Sequence, residues 1–289
     1  MIAERPDGAG TLYVVATPIG NLEDISARAL RILAQVDLIA AEDTRGTRVL
    51  LERYGIGTPM QAVHEHNEAA VCTQLVQRMR AGASIALVSD AGTPLVSDPG
   101  FRLVAAAREA GVPVLAVPGP CAAIAALSVA GMPTDRFCFE GFLPAKAAAR
   151  RTRLQALVAE PRTLVFYESA HRITECVDDL VAVLGAGRPA VLARELTKRF
   201  ETTLGGTLGE IAAALAGDAD QRRGEFVLVV GGNPDPQAAA LAHGRRLYAA
   251  LARELPPARA AKLAAELSGA PRRALYEGSR DGEPWGAES

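Results

Sequence analysis

Ser84-Ile85-Ala86-Leu87-Val88-Ser89-Asp90-Ala91-Gly92-Thr93-Pro94-Leu95-Val96-Ser97-Asp98-Pro99-Gly100 is the stretch that decides the fold. An apolar run over 83–88 empties into a loop punctuated by glycine and proline, and a helix restarts near Gly100. A buried strand followed by such a loop is the mark of an α/β sheet, whose ligands sit beyond the carboxyl ends of the strands. Gly92 permits close backbone approach, Pro94 and Pro99 fix the path, and Asp90 and Asp98 place a carboxylate at each end. Similar junctions occur at Thr17-Pro18-Ile19-Gly20-Asn21 and at Val117-Pro118-Gly119-Pro120-Cys121-Ala122. Three such loops in one half of the chain predict a cleft for a small molecule.

Working outward, strand patterns at 12–16, 36–41, 84–88 and 113–117 alternate with helical ones. The helices fall at 24–35, with Asp24 as N-cap, at 47–54, at 68–81, from Gly100 onward, and at 121–129. This alternation predicts a mostly parallel, doubly wound sheet over 11–130. After a break at Gly131–Asp135, strands at 137–142, 163–167, 190–193 and 225–230 alternate with helices at 147–159, 170–184 and 208–216. They predict a second α/β domain over 131–232, mixed in strand direction because some links are short. Residues 231–236 read as a linker, 237–277 as a small Ala/Arg/Leu-rich helical region, and 278–289 as a disordered tail.

Composition narrows the function classes. With 289 residues and 49% hydrophobic content, the chain can build two cores. A net charge of -2 means that an RNA partner would require basic residues segregated on one face. An aromatic content of 4% argues against extensive base stacking. Cys72, Cys121, Cys138 and Cys176 form no Cys-x-x-Cys pair, as expected of thiols in a reducing compartment. The first ten residues lack the apolar core of a secretory signal, and the longest apolar stretch, 121–132, is too short to cross a bilayer. The expectation is a soluble, cytoplasmic protein without membrane contact.

Several chemistries are excluded by missing motifs. The loop after the first strand is not Gly-x-Gly-x-x-Gly, and neither a Gly-Lys-Ser/Thr phosphate loop nor a Gly-x-Ser-x-Gly elbow occurs. His64 and His66, flanked by Glu65 and Glu68, lack a third ligand at helical spacing, so a structural or substrate-facing role outweighs a metal site and no metal is expected. Cys121 opens a helix, where a thiol's pKa falls, but a small packed residue is the better reading.

Eight motifs occur in order: Ala16-Thr-Pro-Ile-Gly-Asn-Leu-Glu-Asp24, Ala41-Glu-Asp-Thr-Arg45, His64-Glu-His-Asn-Glu68, Ser89-Asp-Ala-Gly-Thr-Pro94, Pro118-Gly-Pro-Cys-Ala122, Asp135-Arg-Phe-Cys-Phe-Glu-Gly-Phe-Leu-Pro144, Phe166-Tyr-Glu-Ser169 with His171-Arg172, and Ala193-Arg-Glu-Leu-Thr-Lys198. Together, over about 11–277, they resemble the bacterial 16S rRNA (cytidine-2′-O)-methyltransferases of the tetrapyrrole methylase superfamily. The resemblance implies two α/β domains with S-adenosylmethionine in the cleft between them, a homodimer, and a decoding-region cytidine of the small ribosomal subunit as substrate. It implies cofactor contacts from Pro18, Asp90, Gly92, Thr93, Pro94, Val96, Ser97, Pro120, Cys121, Ala122 and Tyr167. The wider superfamily commonly has an Asp in a Gly-Asp-Pro where this chain has Thr93, which favours the rRNA branch over one acting on corrins.

Methylation of a ribose hydroxyl calls for alignment above all, together with a group that accepts the proton. Asp43, His66, Asp98, Glu168 and Lys198 are the candidates for that acceptor. Asp43 and Asp98 rank first because both follow strand ends. The competing reading is that Asp43 pairs with Arg45, that Asp98 caps the next helix, and that Ser169 caps the helix carrying His171 and Arg172. Lys198 is charged unless buried, so phosphate contact suits it better. Arg45, His66, Arg150, Arg151, Arg172 and Lys198 are expected to face RNA, binding phosphates without reading sequence. A sister methylase acting on a tetrapyrrole or protein side chain, and a non-catalytic ribosome-binding module, are the rival functions.

Overall fold

A computed structural model of the chain describes residues 10–64 and 67–277. His66 and the tail 278–289 therefore lie outside the described residues. The first sheet is built from β1 (Leu12–Val15), β2 (Leu38–Ala41), β3 (Met60–Ala62), β4 (Ile85–Val88) and β5 (Val114–Val117), in the order β3-β2-β4-β1-β5. Every pairing in it is parallel. All four residues of β2 and of β4 are buried, because helices cover both faces and the strands must be apolar throughout. On one face lie α1 (Ala27–Gln35) and α2 (Thr44–Arg53), with Leu33 and Leu50 against Ile39 and Val88. On the other lie α3 (Glu68–Arg80) and α4 (Phe101–Glu109), with Leu75, Met79 and Leu103 against Leu12, Ile85 and Leu87.

The second sheet comprises β6 (Phe137–Phe142), β7 (Thr163–Ser169), β8 (Pro189–Arg194), β9 (Thr202–Thr207) and β10 (Glu225–Val230). Its order is β6-β7-β10-β8-β9; β6 and β7 are parallel and the remaining pairs antiparallel. One face carries α6 (Ala147–Leu157), α7 (Ile173–Leu184) and α8 (Leu208–Gly217), which bury Leu154, Val177, Leu180 and Ile211 against Phe166, Leu192 and Leu228. The opposite face is covered by α5 (Ala122–Val129), the helix that follows β5 of the first sheet. Ala123, Ala126 and Leu127 pack there on Val165, Val191, Val227 and Val229. The helix thus belongs by sequence to one half and by packing to the other.

The chain ends in α9 (Pro236–Leu251), α10 (Pro257–Ser268) and α11 (Arg272–Glu277), which share a small core of Tyr248, Ala260, Ala261, Ala264 and Leu275. Gly269, in the left-handed region at φ 73°, ends α10 and turns the chain into α11. No helix among the described residues is long and apolar enough to cross a membrane.

Some local expectations need correction. Ser26, not Asp24, caps α1, with its side chain accepting from the Ala29 N–H at 3.0 Å. Asp24 instead closes a short 3-10 turn over Leu22–Asp24. The edge strands β3 and β9 have no counterpart in the predicted pattern. The helix expected at 47–54 starts at Thr44, because Asp43 caps it. The helix expected from 170 starts at Ile173 and takes no cap from the Ser169 side chain.

Candidate active site

The loops leaving β1, β2, β4 and β5 meet at the carboxyl edge of the first sheet, where β4 and β1 lie side by side between strands of different sequence order. Thr17 and Gly92 form an antiparallel bridge through two backbone hydrogen bonds of 2.8 and 3.1 Å. Thr93 donates its hydroxyl to the Pro120 carbonyl at 2.9 Å. Three loops far apart in sequence are thereby stitched into one wall. Gly92 sits at φ 81°, and an added Cβ would lie 3.3 Å from Ile19 Cγ2, so a side chain there is both strained and crowded. Leu95 and Ser97 also hold positive φ, at 73° and 67°, and across the cleft Glu195 and Thr197 do so at 52° and 65°. Backbone strain in non-glycine residues concentrates where surrounding structure holds a functional geometry.

Between this wall and the second sheet lies a cavity of about 340 Å³. Asp90, Gly92, Thr93, Val96, Ser97, Asp98, Cys121, Ala122 and Tyr167 line it, with Ile19, Glu42, Phe142, Glu168, Ala193, Leu196, Lys198, Phe226 and Val227. Of the expected cofactor residues, Pro18 borders a smaller adjoining cavity instead. Pro94 and Pro120 line neither, although the Pro120 carbonyl holds Thr93. Ala193 and Leu196 fall within one of the eight motifs without being assigned to the cleft there. The contributions of Phe226 and Val227 were invisible in the sequence, because only strand order brings β10 opposite the first sheet's loops.

Tyr167 joins the two halves. Its hydroxyl accepts from the Ala123 N–H at 3.0 Å, replacing the side-chain cap that Cys121 cannot supply to α5. Phe139 and Phe142 meet its ring edge-on, with centroids at 4.9 and 5.7 Å. Burial pushes the phenol up from its ordinary value, so it stays protonated. Tyr167→Phe leaves the buried Ala123 N–H without an acceptor, and a loss of about 1–3 kcal/mol in stability is expected in denaturant titrations.

Three carboxylates, Glu42, Asp90 and Asp98, face the same space. The Asp43 N–H donates to Asp90 at 2.9 Å, and the Asp90 N–H donates to Glu42 at 3.3 Å. Burial pushes the Asp98 carboxyl up to about 6; a hydrogen bond from Ser89 opposes the shift, and the charges of Glu42 and Asp90 add to it. Burial likewise raises Glu42. Asp98 makes no side-chain cap to α4, which begins after Gly100 without one.

Asp43 behaves differently. Its carboxylate lies in the fork of the Arg45 guanidinium, with contacts of 2.7 to 3.1 Å, and also accepts from the Arg45 N–H at 2.8 Å. Those hydrogen bonds pull its pKa down to about 2. It caps α2 and lines neither cavity, whereas its neighbour Glu42 does.

Lys198 extends over Gly20 and lines both cavities. A Cβ on Gly20 would come within 2.5 Å of Lys198 Cγ, so the glycine clears its path. The ammonium donates to Glu195 at 2.9 Å and to Glu225 at 2.8 Å. Burial alone would lower its pKa, but the two carboxylates outweigh burial and raise it, so the side chain is a cation. Glu168 is buried, pairs with Arg172 at 3.2 Å and accepts from the Ser169 N–H at 2.8 Å. Arg172 also donates to the Leu143 carbonyl at 2.6 Å.

The expectation for Arg150 is overturned. It is 1% exposed, pairs with the buried Asp179 at 2.6 Å, and serves the core between α6 and α7. Arg150, Leu154 and Leu157 stand at i, i+4 and i+7, all on the buried face of α6, so helical periodicity carried the signal. Arg151 shares the same carboxylate but remains exposed. Among the described residues no group of three or more His, Cys, Asp or Glu could hold a metal ion.

A cofactor cleft between a parallel and a mixed sheet agrees with the sequence comparisons. The family model for tetrapyrrole (corrin/porphyrin) methylases matches residues 11–212, and the chain belongs to that family of methyltransferases. A second model, described as the RsmI C-terminal HTH domain, matches 237–277. A protein named ribosomal RNA small subunit methyltransferase I from Xylella fastidiosa (strain Temecula1 / ATCC 700964) is 60% identical, over 93% of this chain and 98% of its own. The protein of that name from Escherichia coli O157:H7 is 54% identical, over 93% and 94%. Among solved structures, the uroporphyrin-III C-methyltransferase from Thermus thermophilus complexed with S-adenyl homocysteine superimposes with a TM-score of 0.52 at 21% identity. That likeness covers 77% of this chain and 97% of the other, and at such identity it speaks for the fold.

Proposed function

We propose that this protein transfers a methyl group from S-adenosylmethionine to the ribose 2′-hydroxyl of a decoding-region cytidine in 16S rRNA. The observation that carries the reading is near full-length identity of 60% to a small-subunit rRNA methyltransferase. The cleft supports it physically. Its volume of about 340 Å³ lies in the ~300–1,000 Å³ range of small-molecule sites. Its acidic lining of Glu42, Asp90 and Asp98 suits a ligand bearing sulfonium and ammonium charges.

When bound, S-adenosylmethionine supplies an electrophilic methyl whose bond to sulfur breaks with the electron pair passing to sulfur. The loop residues Gly92, Thr93, Val96 and Ser97, with Cys121, Ala122 and Tyr167, hold and orient it. Asp98 takes the proton of the 2′-hydroxyl as the oxygen bonds to carbon, and its pKa of about 6 leaves it ionised yet basic at neutral pH. Asp43 orients Arg45, whose exposed guanidinium faces solvent for RNA phosphates. Lys198, Arg151 and Arg172 stand as further cations for that purpose. Alignment of the reacting atoms supplies the larger share of acceleration, ~7–11 kcal/mol in well-oriented systems.

The protein works in the cytoplasm as a homodimer in this reading. Ile124, Val129 and Phe137 expose apolar surface beside a groove between α5 and β6, a surface suited to a second copy. The test is transfer of labelled methyl to unmethylated small subunits, followed by alkaline hydrolysis of the rRNA. A 2′-O-methyl removes the attacking hydroxyl, so one protected linkage in the decoding region is expected. Label in protein, or no incorporation despite cofactor binding, would favour a sister methylase.

A further inference from the structure

Beside the cofactor cleft lies a second cavity of about 220 Å³, between the β1 loop and the first turns of α2. Ile19, Asp90, Ala91, Lys198 and Glu225 line both spaces and so form the partition between them. We propose that this smaller cavity receives the pyrimidine base of the nucleotide whose ribose is methylated. The proposal rests on the function proposed above.

Size is the first argument. At ~30 Å³ per water the space equals roughly seven waters, close to the roughly eight non-hydrogen atoms of a pyrimidine. The lining is the second. Leu22, Val49 and Leu50 offer apolar contact for a ring, and Asp90 presents a carboxylate that the Asp43 N–H fixes in orientation at 2.9 Å. A carboxylate is the natural acceptor for the exocyclic amine of cytosine. Lys198 is a cation on the partition, where the sugar–phosphate of a base seated in this cavity would pass toward the methyl donor. An enzyme acting on one nucleotide must first take that nucleotide out of the stack and hold it.

The third argument is Gly46. It is the third residue of α2, in the first turn, where glycine brings no helix-forming advantage over alanine. Two other helix glycines have steric reasons: a Cβ on Gly209, at the start of α8, would lie 3.3 Å from Ala186, and one on Gly244, within α9, would lie 2.7 Å from Ser268 Oγ; Gly217, which ends α8, has none. A Cβ on Gly46 would meet nothing within 4 Å. Packing within the protein does not require this glycine, yet it borders the cavity. Its lack of a side chain keeps the space open for an occupant from outside.

The test compares the full-length protein with its Gly46→Ala and Gly46→Leu variants, using unmethylated small subunits and labelled S-adenosylmethionine. Leucine is expected to lower kcat/KM for subunits at least tenfold, with the dissociation constant for S-adenosylmethionine within twofold of wild type by equilibrium titration. Alanine is expected to raise the melting temperature and slow transfer less. Should the leucine variant fail to fold, Val49→Phe fills the same space from its rim. Subunits with a purine at the target position are expected to react at least tenfold more slowly with the wild type. Equal transfer by the filled-cavity variant, or loss of cofactor binding along with activity, overturns the assignment. Failure of the wild type to methylate subunits speaks instead against the function itself.

Discussion

Asp98→Asn is expected to slow methyl transfer by ~10²–10⁴-fold, the usual contribution of a positioned general base. The same variant should be at least as stable as the wild type at neutral pH. The folded protein raises this carboxyl from 3.8 to about 6. Between those values the native state holds the proton more tightly than the unfolded chain, so this group's contribution to stability falls as pH rises through the window. Above about 6 the folded protein carries a disfavoured charge that asparagine lacks. Asparagine also keeps an oxygen to accept from Ser89. The wild-type rate should climb as pH rises through about 6, and the variant's residual rate should lack that limb. A profile unchanged by the substitution would remove Asp98 from proton transfer and leave alignment as the whole of catalysis.

Asp179→Ala is expected to cost ~3–5 kcal/mol of stability, because it strands the buried Arg150 guanidinium without its carboxylate. The Glu175 carboxylate, 3.6 Å from Arg150 but largely exposed, is a poor substitute. Burial opposes ionisation of Asp179, yet the hydrogen bonds from Arg151 and Arg150 prevail and hold its pKa below the ordinary value. The stabilisation is therefore present above the ordinary carboxylate range and lost as pH falls through the lowered value. Replacing both partners, Arg150→Met with Asp179→Leu, should recover most of the loss in urea titrations, since apolar pairs often replace buried ion pairs without penalty. The recovered protein should methylate small subunits at the wild-type rate. Weakened subunit binding by the stable double variant would return Arg150 to the RNA-facing set.

Much of this architecture was legible in the sequence, and the gaps have physical causes. The continuous apolar runs of β2 and β4 announce strands covered on both faces. By contrast, β3 is three half-buried residues at a sheet edge, and β9 is Thr202-Thr-Leu-Gly-Gly-Thr207 with two glycines. Neither carries an apolar alternation strong enough to read, because one side of each is open. The loops bearing Asp90, Gly92 and Thr93 could be found locally, since glycine and proline punctuate them. The opposite wall could be found only in part: Tyr167, Glu168 and the Ala193–Lys198 motif stand out, whereas Phe226 and Val227 look like ordinary core residues until β10 is placed in order. Asp43 and Glu42 show the limit of reading by residue type. The capping signal at Asp43 was present and the structure uses it, which leaves the adjacent glutamate facing the cleft.

The placement of α5 has a consequence for the birth of the chain on the ribosome. Its apolar face, Ala123, Ala126 and Leu127, emerges well before the strands that cover it, the last of which ends at Val230. At ~5–20 residues per second, that face waits for several seconds with no partner. The amino-terminal half made alone should accordingly be sticky and prone to aggregate, and cutting the chain near Met132 should yield two fragments that dissolve well only when co-produced.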